Sequence, residues 1–143
     1  LPGELQAAYV WGQLERADEI NKNRLAIWDR YYEALLPLQK AGKVSLPTII
    51  DGCTHNAHMF YVKTANLEER TSLLTHLKAN HIMAVFHYVP LHCAEAGKQF
   101  GRFNNEDVYT TAESELLVRL PMWYGLANVD QILVIQTVKE FYQ

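Results

Sequence analysis

The stretch ELQAAYVWGQLERADEINKNRLAIWDRYYEAL, residues 4 to 35, decides the fold class because it predicts one long leading helix. It is rich in Ala, Leu, Glu and Gln, which are strong helix formers, and it contains no proline. We expect one helix over residues 3 to 38. At 1.5 Å per residue, its ~30 central residues extend over ~45 Å.

The two halves of this helix differ in polarity. From Glu15 onward, charges lie on one side and large apolar residues recur at helical spacing on the other. Residues 5 to 14, LQAAYVWGQL, carry no charge and are apolar around most of the circumference. Such a segment is usually buried on several sides, so it predicts either a missing domain or a homodimer interface. The apolar positions of the second half are Ile20, Ile27, Trp28, Tyr31 and Leu35.

Composition limits the class of protein. A chain of 143 residues with 49% hydrophobic residues can bury the core of one domain. Its net charge of −3, with scattered lysines and arginines, gives no surface for nucleic acid or an anionic membrane. The two cysteines, Cys53 and Cys93, form no disulfide framework, which favours a reducing, cytoplasmic compartment. We find neither a signal peptide nor an apolar run of the ~18 residues needed to span a bilayer. A first residue of Leu1 rather than Met suggests a piece of a longer protein.

The remaining sequence alternates between strand-like and helical segments after a loop at residues 41 to 56. Aromatic and β-branched residues predict strands over 57 to 63 and 82 to 88. The second is apolar on both faces, so we expect it to be central or covered. Between them Asn66 and Glu69 form a predicted capping box for a helix over 67 to 80. Its predicted apolar face is Leu67, Leu74 and Leu77.

Two further helices are predicted in the last third of the chain. Thr110 and Glu113 indicate a short helix that ends near Val118, and Asn128 with Gln131 opens the last one. The element order predicts an α+β fold, a short sheet packed with helices. We expect a leading helix segment at 1–40 and a small α+β domain at 41–143. The last helix should direct Ile132, Ile135, Val138 and Tyr142 toward the core.

The stretch AVFHYVPLHC, residues 84 to 93, concentrates chemically active side chains. His87, His92 and Cys93 are zinc-ligand types, but no HExxH, CxxC or suitably spaced carboxylate completes a set of ligands. A nucleophilic pair is disfavoured because the adjacent His92 and Cys93 rarely point at each other. A third interpretation is a strand end whose polar tips reach water or a carbonyl. From the residues alone, the third interpretation is favoured over a ligand-binding role.

Four motifs resemble the C-terminal third of the DegT-like sugar aminotransferases, which are pyridoxal-phosphate (PLP) enzymes of fold type I. The motifs are the leading helix, HMFYVK (58–63), AVFHYVPLH (84–92) and RLPMWYGL (119–126). They occur in the same order as in the family, and the similarity extends from about Glu4 to Phe141.

The resemblance implies a small C-terminal domain whose leading helix begins in a PLP-binding domain absent here. The family's Schiff-base lysine and its other cofactor contacts would lie upstream of Leu1, so we expect neither catalytic nor cofactor-binding residues in this chain. His87, Tyr88 and His92 become substrate-binding residues, and Pro90 fixes the turn that presents them. Imidazole and phenol can hydrogen-bond diphosphate or sugar oxygens. The resemblance assigns no role to Cys93.

The implied reaction of the full-length enzyme moves the amino group of L-glutamate to the 4-keto carbon of dTDP-4-keto-6-deoxyglucose, for cell-surface polysaccharide biosynthesis. PLP is the implied cofactor, and a homodimer is the expected assembly. The segment alone should be inactive.

The alternative is a free-standing α+β module that binds a ligand or forms dimers and has no catalytic activity. The coding sequence upstream of Leu1 distinguishes the two: ~200 or more further residues with a strand-flanked lysine would favour the aminotransferase.

Overall fold

A three-stranded antiparallel sheet forms the centre of the fold, and burial alternates along its two longer strands. This computed structural model describes residues 3–104 and 106–143. Leu1 and Pro2 of the predicted segment 1–40, and Asn105, lie outside the described residues. The α+β class and the short sheet predicted from sequence are confirmed. The elements, in chain order, are α1 (Glu4–Leu14), α2 (Ala17–Lys40), β1 (Phe60–Lys63), α3 (Leu67–Ala79), β2 (Val85–Phe86), a 3-10 turn (Leu91–Cys93), α4 (Glu95–Phe100), α5 (Thr110–Leu116), β3 (Leu117–Leu120) and α6 (Asn128–Phe141).

The leading segment is two helices rather than one. α1 ends at Leu14, and Arg16 has left helical geometry, with φ −111° and ψ 14°. The Arg16 backbone N–H reaches back only to Gln13, a tighter i→i−3 bond, and the Arg16 side chain pairs with Glu19. The prediction of a continuous helix was therefore wrong, although the break falls where the charge pattern changes.

The sheet order is β1-β3-β2, with both pairs antiparallel. β3 was not predicted, since the sequence analysis extended the preceding helix to Val118. The prediction that the second strand is central or covered was also wrong, because β3 takes the central position and β2 lies at the edge. Val85 and Phe86 are 39% and 45% exposed.

Helix α2 supplies the predicted core face. Ile27, Trp28, Tyr31 and Leu35 are buried, while Ile20 is only half-buried. The rings of Trp28 and Tyr31 lie 5.4 and 5.1 Å from that of Phe60 on β1. The Tyr31 hydroxyl donates a 2.8 Å hydrogen bond to the Pro121 carbonyl oxygen, so its polar atom is satisfied inside the core.

The buried face of α3 differs from the prediction at one of its three residues. Leu77 is buried and Leu74 half-buried, as expected, but Leu67 is exposed and Leu73 takes its place in the core. Leu67 is the first residue of the helix, where the Asn66 cap turns the chain outward. The side-chain oxygen of Asn66 accepts a 2.9 Å hydrogen bond from the backbone N–H of Glu69, which confirms the predicted cap.

The core face of the last helix matches the prediction except at Ile132. Ile135 and Val138 are buried and Tyr142 is half-buried, but Ile132 is 41% exposed and its neighbour Gln131 is fully buried. Gln131 can occupy the core because its amide donates to the Ile27 carbonyl and accepts from Arg30. Neither Thr110 nor Asn128 caps a helix, since each is already the first helical residue. In the described part of the chain, no helix is both long and apolar enough to cross a bilayer.

Candidate functional site

The predicted site segment is a turn held against α5. It leaves the edge strand after Phe86, and Pro90 opens the 3-10 turn, where its carbonyl oxygen accepts from the Cys93 N–H at 2.9 Å. The Ser114 hydroxyl of α5 donates a 2.7 Å hydrogen bond to the Tyr88 carbonyl oxygen. The turn is thus fixed by its own backbone bond and by a side chain of the neighbouring helix.

His87 and Tyr88 form an edge-to-face pair at the end of β2. Their ring centroids lie 5.1 Å apart, and the Tyr88 side chain is largely exposed. The guanidinium of Arg119 lies 5.5 Å from the Tyr88 ring centre, within cation–π range. The Nδ1 atom of His87 is buried and has no hydrogen-bond partner among the described residues. Of this pair, Tyr88 presents an exposed aromatic face, whereas the Nδ1 of His87 is shielded from solvent.

A surface groove of 350 Å³ lies between this pair and α5. It is mostly apolar, with Glu113 and Ser114 among its polar groups. His92 is not part of its lining. The lining residues are His87, Tyr88, Val89, Pro90, Leu91, Thr110, Glu113, Ser114 and Leu117.

A second, larger groove of 650 Å³ lies where β1 and β2 begin and β3 ends. Arg119 contributes to its wall as well as contacting Tyr88. The Nε atom of Arg119 is buried and has no partner within the described part of the chain. A guanidinium in this position can bind a phosphate or carboxylate oxygen. Arg119 was not among the predicted site residues, although it is the first residue of the RLPMWYGL motif.

His92 points toward a polar cluster instead of the groove. Its Nε2 lies 2.7 Å from Asp107 Oδ2 and 3.3 Å from Thr111 Oγ1, and its ring packs on Phe103 with centroids 4.2 Å apart. The Thr111 hydroxyl donates to the same carboxylate, and its backbone N–H approaches Asp107 Oδ2 at 3.2 Å. Cys93 Sγ lies 3.6 Å from the Thr111 hydroxyl.

The carboxyl group of Asp107 is stabilised in its ionised form. Hydrogen bonds from the Thr111 hydroxyl and backbone, together with the imidazole of His92, hold the pKa of Asp107 below its ordinary value of 3.8. The group therefore carries its negative charge at neutral pH, where it can accept all three bonds.

The structure separates the three residues that the sequence grouped. His87 and Tyr88 share the groove, whereas His92 belongs to the cluster with Asp107 and Thr111. Asp107 was not among the residues predicted for the site. One signal was present: an Asp shortly before a predicted helix, with a Thr four residues later, matches a local cap.

No metal centre is formed by the described residues, which contain no group of three or more His, Cys, Asp or Glu side chains placed to bind an ion. His92 and Cys93 both contact the Thr111 hydroxyl. Asp107 is the acidic residue that contacts His92 in this cluster.

The lysines do not provide a site for PLP. A lysine that forms a Schiff base is activated by desolvation or by a neighbouring cation. None of the seven is buried, and the Lys63 ammonium is paired with Glu113 at 2.9 Å. In this structure the lysines therefore lack the desolvation that activates a Schiff-base lysine. The lysines are Lys22, Lys40, Lys43, Lys63, Lys78, Lys98 and Lys139.

We expect Gly97→Ala to disrupt the site turn. A Cβ at this position would lie 1.6 Å from the Leu91 carbonyl oxygen, which is far inside contact distance. Such overpacking costs about 1–3 kcal/mol, so α4 must move away from the 3-10 turn. Hydrogen exchange should accelerate for peptides spanning residues 91–100.

Gly12→Ala is the matched control, because nothing lies within 4 Å of its Cβ position and alanine favours a helix interior. Equal exchange over residues 91–100 in Gly97→Ala and the unmodified chain would contradict the close approach.

The chain is similar to sugar aminotransferases over nearly its whole length. The DegT/DnrJ/EryC1/StrS aminotransferase family model matches residues 3–139. The dTDP-3-amino-3,4,6-trideoxy-alpha-D-glucose transaminase of Micromonospora megalomicea subsp. nigra is 27% identical over 139 residues, which cover 96% of this chain. The matched region spans 36% of that relative, so the chain corresponds to about a third of its length.

Solved structures share the fold. The S. venezuelae DesV structure, in complex with a ketimine intermediate, matches 98% of this chain and 36% of its own, with a TM-score of 0.83 and 29% identity. The ntda structure from Bacillus subtilis with bound cofactor PMP matches 87% of this chain and 29% of its own. With a TM-score of 0.74 and 22% identity, it indicates a common fold only.

Proposed function

Because the chain belongs to the DegT/DnrJ/EryC1/StrS aminotransferase family, we propose that it is the C-terminal part of a sugar aminotransferase that acts on a nucleotide sugar. The cofactor of the full-length enzyme is PLP, which supplies the electron sink of amino transfer. Residues outside this chain would bind it. The chain's own contribution is one wall of the substrate cleft, and closing this wall over the substrate is its proposed task.

The specific reaction that we propose is that of dTDP-4-amino-4,6-dideoxygalactose transaminase. The amino group of L-glutamate would be transferred to the 4-keto carbon of dTDP-4-keto-6-deoxyglucose. The product would enter enterobacterial common antigen or lipopolysaccharide biosynthesis in the cytoplasm. The support for C4 is the resemblance of the four motifs, from the leading helix to RLPMWYGL (119–126), to that enzyme.

One observation supports a substrate contact: Tyr88 is 71% exposed on the groove wall, beside the half-buried His87. A nucleotide sugar offers diphosphate and hydroxyl oxygens for the imidazole and a base or sugar ring for the phenol. Arg119, which lies beneath the Tyr88 ring, adds a positive charge suited to a phosphate or carboxylate. Substrate contact stays a prediction for His92, whose Nε2 already bonds to Asp107.

Exposure supports the proposed division at α1, whereas α2 packs into the core of the small domain. Helix α1 has no buried residue, whereas residues 41–143 supply the sheet and most of the helices that pack on it. We propose that α1 lies against the PLP-binding domain and that the full-length enzyme forms a homodimer. The first 40 residues would then link the two domains.

The experiment that tests the function is a kinetic comparison of full-length variants. We expect His87→Ala to raise KM for the keto-sugar or to lower kcat by about tenfold or more, because the imidazole contact is lost. The melting temperature should stay nearly unchanged, since His87 lies at a strand end. The assay is amino transfer from L-glutamate to dTDP-4-keto-6-deoxyglucose, with the configuration of the product determined by NMR.

Glu33→Ala is the control, because Glu33 is exposed on α2 and lines neither of the two grooves. Normal kinetics with a melting temperature several degrees lower would instead make His87 a structural strand-end residue. Amino transfer to the 3-keto isomer, and not to the 4-keto sugar, would contradict the proposed substrate.

A further inference from the structure

The loop that follows α4 is held by a hydrogen-bonded cluster and one ring contact, and none of its described residues between Gly101 and Thr110 is buried. The contacts that tie this loop to the site turn are those of Asp107 with His92 and those of Phe103 with the His92 ring. A loop without buried apolar groups opens easily unless specific bonds hold it, so these contacts determine its position.

Helix α5 contacts both ends of the site turn, at Tyr88 and at His92. Near its first residue the Thr111 hydroxyl lies 3.3 Å from His92 Nε2, and one turn later the Ser114 hydroxyl donates to the Tyr88 carbonyl at 2.7 Å. Thr111 and Ser114 are three residues apart and thus lie on one side of the helix. The turn from Tyr88 to His92 therefore spans two anchoring points on one rigid element.

The cluster is arranged to fix an orientation. The His92 side chain is only 18% exposed, and Asp107 bonds to His92 and to the start of α5 at once. A carboxylate with three hydrogen bonds from two segments restrains both of them more strongly than a neutral acceptor would. Gly97 permits the close approach of α4 to the Leu91 carbonyl. The turn is thus contacted by both α4 and α5.

We propose that His92 is a positioning residue: with Asp107 and Thr111 it locks the turn of residues 88–93 onto α5 and so sets the orientation of His87 and Tyr88. This role rests on the proposed function, in which that pair faces the nucleotide sugar. In this proposal Asp107, which was not predicted as a site residue, holds His92 against the start of α5. In this role His92 acts on the reaction through the turn, and the test below separates this role from the direct substrate contact predicted from the resemblance.

The test combines hydrogen exchange and kinetics on the full-length protein, with His92→Ala, Asp107→Ala, the double variant and His92→Gln. Glutamine places an amide N–H near the position of Nε2 and can still donate to Asp107. The Cys93 and Ala94 amides bond to the Pro90 carbonyl and do not touch Asp107, so their exchange reports on the turn itself. Ile82, whose amide bonds to Leu77, is the internal reference.

We expect both alanine variants to accelerate exchange of the Cys93 and Ala94 amides by about tenfold and to lower kcat/KM by a similar factor, with Ile82 unchanged. Glutamine should restore both readouts. The double variant should be no worse than either single one, because the two residues act as one unit.

Two results would overturn the positioning role. One is unchanged exchange at Cys93 and Ala94 in both alanine variants. The other is a loss of kcat/KM in His92→Ala and His92→Gln but not in Asp107→Ala, which would make His92 a direct substrate ligand. If the unmodified enzyme transfers no amino group, the proposed function fails, and the exchange comparison alone decides whether the lock exists.

Discussion

The 143-residue chain on its own should form no stoichiometric, site-specific pyridoxyl-lysine when it is mixed with PLP and reduced with borohydride. A Schiff-base lysine must lose its proton near neutral pH, which requires desolvation or a neighbouring cation. No lysine of this chain is buried, and the Lys63 ammonium lies 2.9 Å from the Glu113 carboxylate. We therefore expect only scattered, substoichiometric labelling of the lysines, and we expect the isolated chain to transfer no amino group.

Peptide mass spectrometry after reduction measures this outcome. The full-length protein is the positive control and should show one fully labelled lysine outside residues 1–143. Stoichiometric labelling of a single lysine within this chain would contradict the proposal that residues outside the chain bind PLP. It would place the Schiff-base lysine in the C-terminal segment.

The parts of the fold that could be predicted are those governed by local periodicity. Ile27, Trp28, Tyr31 and Leu35 recur at the period of a helix, and all four are buried. The Asn66 cap was readable because its partner lies three residues away on the same helix. In both cases the deciding interactions lie within one element.

Elements defined by distant partners were missed. Nothing within residues 117–120 separates a strand from the end of a helix, and the strand exists because it pairs with both β1 and β2. On α6, Gln131 replaces Ile132 in the core only because Arg30 and the Ile27 carbonyl, a hundred residues earlier, satisfy its amide. Propensity cannot register such long-range compensation.

The site shows the same division. The sequence selected His87, Tyr88 and His92 as one group because they are close along the chain. Which groove a side chain faces depends on the elements packed beside it, and α5 draws His92 away through Asp107 and Thr111. Strand β2 was predicted to be central or covered because it is apolar on both faces, but it lies at the edge of the sheet. Its apolar composition does not reveal whether residues of this chain cover it.

The largest association effect is expected from helix α1. It has no buried residue, and Leu5 and Trp11 are 89% and 67% exposed. An apolar surface on the order of several hundred Å² exceeds what soluble monomers usually tolerate in one patch. At about 25 cal/mol per Å², its burial would favour association by several kcal/mol before the entropic cost is subtracted. The isolated chain should therefore self-associate through residues 5 to 14, or fray there.

Replacing Val10 by Glu and Trp11 by Lys should give a monomer whose α+β remainder stays folded, as measured by sedimentation and circular dichroism. The control introduces the same two charges on the exposed side of α2, as Asn21→Glu and Ala26→Lys, and should leave association unchanged. A monomeric unmodified chain in which the amides of residues 5 to 14 resist hydrogen exchange would mean that α1 packs within this chain. The proposal that α1 lies against a separate PLP-binding domain would then lose its physical basis, because no apolar surface would remain for that domain to cover.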